Sequence, residues 1–188
     1  MRHASLPTVV LALALIACDS KSAARGPTPA AGAASRNAHD GALCNAMQTL
    51  IAAAEGDFAS LRKGEPSKLM PSWQSSVTLP GASTCRVADK DPVSFGSVFC
   101  VMAESADQAE IDTAQSATVA QVKACLTGWK AETGEQLGTS WVELEPATQK
   151  SSNRSLQVHV RKTDPVANAR GSVTVDIAVK RPGVNPPE

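Results

Sequence analysis

The sequence is poor in the side chains that many enzymes and most nucleic-acid-binding proteins use. It contains no tyrosine, 3% aromatic residues and three histidines among 188 residues. Eighteen basic residues balance eighteen acidic ones, so the formal net charge is zero. Because nucleic-acid binding depends on an excess of positive charge, this balance argues against nucleic acid as a partner. The hydrophobic residues make up 43% of the chain, and a core must be built mainly from aliphatic ones.

The first seventeen residues have the pattern of an export signal. Arg2 and His3 supply a short basic start, and an uncharged apolar run of twelve residues extends from Leu6 to Ala17. A helix needs about 20 residues to cross the hydrocarbon core of a bilayer, so this run is too short for a transmembrane helix. Residues 1–17 are therefore predicted to be a signal peptide and are excluded from the fold.

The end of this signal carries the sequence Leu15-Ile16-Ala17-Cys18. It resembles the lipobox of bacterial lipoproteins. The resemblance implies that Cys18 is acylated, with palmitate among the expected chains, and becomes the first residue of the mature protein. It also implies a lipid-anchored protein of the bacterial cell envelope that faces the periplasm. Asp19 resembles an inner-membrane retention signal of enterobacterial lipoproteins, but the choice between inner and outer membrane stays open.

The alternative is an ordinary secretory signal that happens to contain a cysteine. In either case a segment rich in Ala, Ser, Gly and Pro follows, and residues 18–39 are predicted to form a flexible tether. A helix made by its alanines is opposed by Gly26, Pro27 and Pro29. The domain itself is predicted at residues 40–180, followed by a Pro-rich tail at 181–188.

Four further cysteines are expected to form two disulfides, because an exported chain enters an oxidising compartment. They are Cys44, Cys85, Cys100 and Cys125. A metal site is the alternative, but zinc ligands usually include close pairs such as C-x-x-C, which are absent. No metal and no cofactor is predicted. If successive elements run alternately up and down, the expected pairs are Cys44–Cys85 and Cys100–Cys125.

Two helices are predicted from apolar residues that recur every three or four positions. The first begins at an N-cap, Asp40, ends near Gly64 and has an apolar stripe: Leu43, Met47, Leu50, Ile51, Ala54, Phe58 and Leu61. The second begins at a capping box formed by Ser105 and Gln108 and ends at Gly128. Its stripe contains Ile111, Ala114, Thr118, Val122, Cys125, Leu126 and Trp129.

About six strands are predicted, three after each helix. They lie at 73–79, around Cys85 and Val87, and at 93–103, 141–145, 156–161 and 173–179. The third is almost continuously apolar, which predicts a central strand covered on both faces. The last two alternate strictly between apolar and polar residues, which is typical of antiparallel strands with one face in the core. The fold class is α+β in the order αβββαβββ, and the repeated order raises the hypothesis of a duplication.

The same alternation directs a polar group of side chains outward from the last strands. Trp141, Glu143, Glu145, His159 and Arg161 share this face and form the candidate binding face. His159 is predicted to lie in water between polar neighbours, and the two glutamates are predicted to be exposed, without the burial that raises a carboxyl pKa. For Trp141, burial at the edge of the sheet under residues 131–139 is an open alternative.

No catalytic residue is predicted. The sequence has no nucleophile elbow, phosphate-binding glycine loop or H-E-x-x-H motif, and no histidine with an evident nucleophile beside it. We therefore expect a non-catalytic envelope lipoprotein that binds another envelope or exported protein, as immunity proteins, inhibitors and accessory subunits do. The alternatives are an envelope hydrolase that acts through carboxylates and a lipoprotein that binds a small ligand in an apolar cavity.

Overall fold

The computed structural model describes residues 31–68, 71–90, 94–147, 154–167 and 169–181, and it describes side chains from Gly41 onward. The signal peptide, Cys18 and the first part of the predicted tether lie outside the described residues, as do residues 182–188 of the predicted tail. From Gly32 onward the described residues belong to one unit. Within them no helix combines the length and the apolar character that crossing a bilayer requires.

The first helix, α1, spans Ala31–Ala53 and starts earlier than expected. It begins at Ala31 rather than at Asp40, because the helix-breaking Pro27 and Pro29 lie before this point and the residues after them include good helix formers. The predicted stripe is confirmed: Leu43, Met47, Leu50, Ala54, Phe58 and Leu61 are buried, and Ile51 packs against them. Regular helix stops at Ala53, and two short 3-10 turns, Ala54–Gly56 and Ala59–Leu61, carry the stripe to its end.

The second helix, α2, spans Gln108–Cys125 and is capped differently from the prediction. The carboxylate of Asp107 accepts hydrogen bonds from the backbone N–H groups of Ala109 and Glu110, which makes Asp107 the N-cap. The predicted capping box is wrong. The Ser105 hydroxyl instead accepts a bond from the Asp107 N–H and donates one to Glu110. The chain leaves α2 through Gly128, whose φ of 83° lies in the left-handed region.

All described strands belong to one antiparallel sheet. Their bounds are Arg62–Lys63 (β1), Ser72–Ser75 (β2), Thr84–Ala88 (β3), Ser94–Ser105 (β4), Trp129–Gln136 (β5), Thr139–Pro146 (β6), Ser155–Thr163 (β7) and Gly171–Lys180 (β8). The spatial order is β1-β2-β3-β4-β8-β7-β6-β5. The α+β class is confirmed, but the expected six strands are eight, and four strands rather than three follow each helix.

The two strands that the sequence did not reveal lie at the two edges of the sheet. β1 has two residues, too few to show any alternation. β5 has eight residues, but most of the side chains on both of its faces are exposed. Its sequence therefore shows no alternation of apolar and polar residues. A two-residue turn, Leu137-Gly138, joins β5 to β6, and both residues have positive φ (49° and 73°). These angles are those of the type I′ turn that joins antiparallel strands.

The core lies between the helices and one face of the sheet. Val98, Val158, Val160 and Ile177 are among the strand residues that point into it, and α2 packs across β4, β7 and β8. β4 is central, as predicted, between β3 and β8. Its buried residues alternate with half-buried ones, so only one of its faces is fully covered. The opposite side of the sheet, turned away from the helices, is called the outer face below.

The predicted disulfide pairing is wrong. Cys44 is bonded to Cys125, which links α1 to α2, and Cys85 is bonded to Cys100. Cys85 and Cys100 are directly opposite each other on neighbouring antiparallel strands, with their Cα atoms 4.1 Å apart. The alternating scheme failed because β1 is an additional strand between the helices. This additional strand reverses the direction of the chain once more, so the C-terminal end of α2 lies at the level of Cys44.

Candidate functional site

A groove of about 530 Å³ lies on the outer face of the second half of the sheet. The turn between β5 and β6 closes one end of it, and β6, β7 and β8 supply its floor and sides. Its lining consists of Gln136, Leu137, Thr139, Trp141, Glu143, His159, Arg161 and Lys180. Four of the five residues of the predicted binding face therefore meet in one groove.

His159 does not lie in water, contrary to the prediction. It points to the outer face, as the alternation indicates, but only 3% of its surface is exposed. Its Nε2 atom is 3.2 Å from the Gln157 side-chain oxygen and 3.5 Å from a Glu143 carboxylate oxygen. Both neighbours are acceptors, so Nε2 carries the proton and donates. The outward direction was correct, but side chains of the same face cover the ring.

The charge state of His159 follows from this burial. Removal from water, followed by the nearby positive charges of Lys180 and Arg161, lowers the pKa of His159 to about 3. The imidazole is therefore neutral near pH 7, and its 3.5 Å contact with Glu143 is not an ion pair at that pH.

The two glutamates of β6 have different surroundings. Burial raises the pKa of Glu143, with further increases from Glu145 and Glu132, while the positive charge of Lys180 acts in the opposite direction. The prediction of a fully solvated Glu143 is therefore wrong. Glu145 lies beside the groove, where the Gln157 amide and the Ser155 hydroxyl donate to the same carboxylate oxygen.

Trp141 and Arg161 form the more open part of the groove. Trp141 is half-buried and its indole lies over Gly134 of β5, where a Cβ atom would overlap with the ring. Trp141 faces outward, as one interpretation expected, and it also packs on the 131–139 segment, as the alternative expected. Arg161 is opposite Thr174 in the sheet and its guanidinium is 3.6 Å from a carboxylate oxygen of Asp176.

Sequence reasoning missed Lys180, Leu137, Gln136 and Thr139. Lys180 is the last residue of β8, and the alternation of that strand directs it to the outer face. The alternation could therefore have predicted it. Leu137 could not be recognised, because the turn was predicted only as part of a loop. Its side chain is 97% exposed, although it is a large apolar residue.

The groove has the chemistry of a binding surface. The imidazole of His159 and the carboxylate of Glu145 contact the same side chain, Gln157. No group of three or more His, Cys, Asp or Glu side chains suited to a metal ion occurs within the described ranges. What the groove offers to a second molecule is an aromatic surface, an exposed leucine, and the charged ends of Arg161 and Lys180.

Comparison of the chain with protein-family models, curated proteins and solved structures finds no match.

Proposed function

We propose that the protein is a lipid-anchored envelope protein that binds another exported or envelope protein through the outer-face groove, without catalysing a reaction. The groove itself carries this proposal. It places Trp141 and the exposed Leu137 next to Arg161 in a concave surface of about 530 Å³. Aromatic and arginine side chains near the centre of a contact supply much of the binding energy in protein interfaces.

The proposed location rests on the lipobox ending at Cys18. Two acyl chains on this residue would hold the protein at a membrane, because each buried methylene contributes about 0.8 kcal/mol. No transmembrane helix is needed. A variant in which residues 1–18 are replaced by a cleavable secretory signal should lack the lipid mass and move from the membrane fraction to the soluble periplasm. If this variant stayed with the membrane, the proposed anchor would be wrong.

The binding proposal is tested with the full chain purified from membranes in mild detergent. It is incubated with periplasmic and secreted fractions of the source organism, and bound proteins are identified by mass spectrometry. We expect one stoichiometric partner. Binding should weaken in Leu137→Ser, which changes a fully exposed side chain, and in Arg161→Glu, which reverses a charge in the groove.

The matched control is Lys123→Glu, an equal charge reversal at an exposed position in the last turn of α2. It should leave partner binding unchanged. Equal losses in Lys123→Glu and Arg161→Glu would mean that the groove is not the binding surface. Partner binding that survives both Leu137→Ser and Arg161→Glu would lead to the same conclusion.

A further inference from the structure

The two edges of the sheet differ greatly in length. β1 offers two residues at one edge, whereas β5 offers eight at the other. Among the described strands β5 pairs only with β6. Every residue of the run from Lys130 to Thr133 is exposed. A long strand with an open edge is a surface on which another strand can pair.

The register of the β5–β6 hairpin decides which backbone groups face this open edge. Gln136 and Thr139 enclose the two-residue turn, so they exchange hydrogen bonds, and so do the pairs at every second position from there. The intervening residues Ala131, Thr133 and Glu135 therefore direct their N–H and C=O groups away from β6. Trp129 contributes only its carbonyl, because its N–H donates to the carbonyl of Leu126.

We propose that this edge pairs with the same edge of a second copy of the chain, antiparallel and around a two-fold axis at Ala131. In this register the two Ala131 residues exchange hydrogen bonds, and the N–H of each Thr133 faces the Trp129 carbonyl of the other copy. Lys130 of each copy stands directly opposite Glu132 of the other. Opposite charges at such cross-strand positions stabilise the pairing of strands.

The charges of β5 favour pairing around Ala131 over pairing around Thr133. Pairing around Thr133 would also match the backbone groups that face outward. It would, however, place Glu132 opposite Gly134 and Lys130 opposite Gln136, so that neither charge would face an opposite charge in the other copy. The edge is therefore self-complementary at Ala131, as a two-fold symmetric contact requires.

The same register gives a role to Leu137. Its side chain is 97% exposed and its φ is 49°, a conformation that favours Gly, Asn or Asp. The folded chain gains no packing from a leucine there. In the proposed pair, the turn that carries Leu137 lies level with the end of α2 in the second copy, near the exposed Gly128.

The pair is expected to be weak in dilute solution. One strand edge buries less surface than the roughly 1,200–2,000 Å² of standard stable interfaces. Copies that are held on one membrane would be concentrated enough to pair. The pairing surface does not depend on the groove or on its partner, but the expected pairing in cells rests on the proposed lipid anchor.

Cysteine cross-linking of the full chain in expressing cells tests the register. Ala131→Cys places two thiols at a hydrogen-bonded cross-strand pair, where the Cα atoms are about 5.5 Å apart and a disulfide can form. After mild oxidation we expect a covalent dimer on non-reducing gels, at least about tenfold above that of Ala117→Cys, an exposed control on α2. A dimer yield equal to that of the control would overturn the proposal. A stronger dimer with Thr133→Cys would overturn the register at Ala131.

A charge exchange in the Ala131→Cys background tests the pairing of Lys130 with Glu132. Lys130→Glu alone puts like charges opposite each other and should lower the dimer yield about fivefold. Adding Glu132→Lys exchanges the two charges and should restore the yield. If the double exchange remained as low as Lys130→Glu alone, the proposed pair would be wrong.

Discussion

The two four-stranded halves of the sheet have the same order but differ in how they are held together. β1–β4 follow α1 and β5–β8 follow α2, and the halves meet where β4 pairs with β8. The first half contains a buried disulfide, Cys85–Cys100, and ends in a two-residue edge strand. The second contains the groove, a buried histidine and an eight-residue edge strand. The first half is crosslinked by a covalent bond, whereas the second has a buried polar side chain on its outer face and a long edge strand.

Each helix is followed by four strands, and this repeated order is what the hypothesis of an internal duplication predicts. If the halves descend from one unit, their differences show what each has acquired. The following predictions separate the covalent contribution of the first half from the polar surroundings of the second.

The largest effects are expected from the disulfides. Cys44–Cys125 closes a loop with a sequence separation of 81, and Cys85–Cys100 one of 15. In the loop-entropy model, replacing both cysteines of the first bond by Ala costs about 4.5 kcal/mol, and replacing those of the second costs about 3 kcal/mol. Denaturant unfolding of the two double variants measures the difference. A greater loss for Cys85→Ala/Cys100→Ala would mean that the buried crosslink of the first half stabilises the fold by packing more than by loop closure.

Gly134→Ala probes the packing of the groove in the second half. The added Cβ would overlap with the Trp141 indole, so the ring must move. We expect a loss of about 2 to 3 kcal/mol in unfolding free energy and a change in tryptophan fluorescence.

Gly41→Ala is the matched control for this substitution. Gly41 lies in α1 with open space around its Cα, and alanine there should add about 0.5 to 1 kcal/mol of stability. If Gly134→Ala were as harmless as Gly41→Ala, Trp141 would not be fixed by β5.

His159 should make the second half sensitive to acid. Its folded-state pKa of about 3 is below the ordinary value of 6.5, so between these values the unfolded chain binds a proton that the folded chain does not. Its contribution is complete above pH 6.5 and falls as the pH falls. Unfolding measured from pH 6.5 to 4.5 should show a loss of about 2 kcal/mol that is absent in His159→Gln.

The neighbouring Glu143 acts in the opposite direction. Its pKa is raised in the fold, so its burial costs stability at high pH and that cost disappears as the pH falls through the raised pKa. Comparing the wild type with His159→Gln therefore isolates the histidine. Parallel pH profiles for the two proteins would show that the ring is hydrated in solution.

The sequence predicted the parts of the fold that have one apolar face. Alternation located β7 and β8, and helical spacing located the buried residues of both helices, because a half-buried element must repeat its apolar side chains with its own period. β5 has no such face, and β1 is too short to have a period. The disulfide pairing depended on the number of reversals between the helices, so missing β1 was enough to make it wrong.

The sequence predicted which way these strand residues point, but not their environment. Strand alternation directs Glu143, His159 and Arg161 to one face, and the structure places them in one groove. Whether a side chain on that face is exposed to solvent depends on the neighbouring side chains that cover it. Glu143 and Lys180 belong to other strands, and no pattern within β7 predicts that they lie with Gln157 around His159. The depressed pKa of His159 could not be predicted for the same reason.

The smallest effect, and one that separates stability from recognition, is expected at Leu137. Leu137→Asn creates an Asn-Gly pair, the preferred sequence for a type I′ turn, and removes a side chain that is 97% exposed. We expect unfolding free energy to rise by about 0.5 to 1 kcal/mol, because asparagine adopts the left-handed conformation more easily than leucine. The same variant should bind the partner less well and should pair less with a second copy. If stability rose and both associations were retained, the exposed leucine would have no function in recognition, and the binding surface would have to lie deeper in the groove.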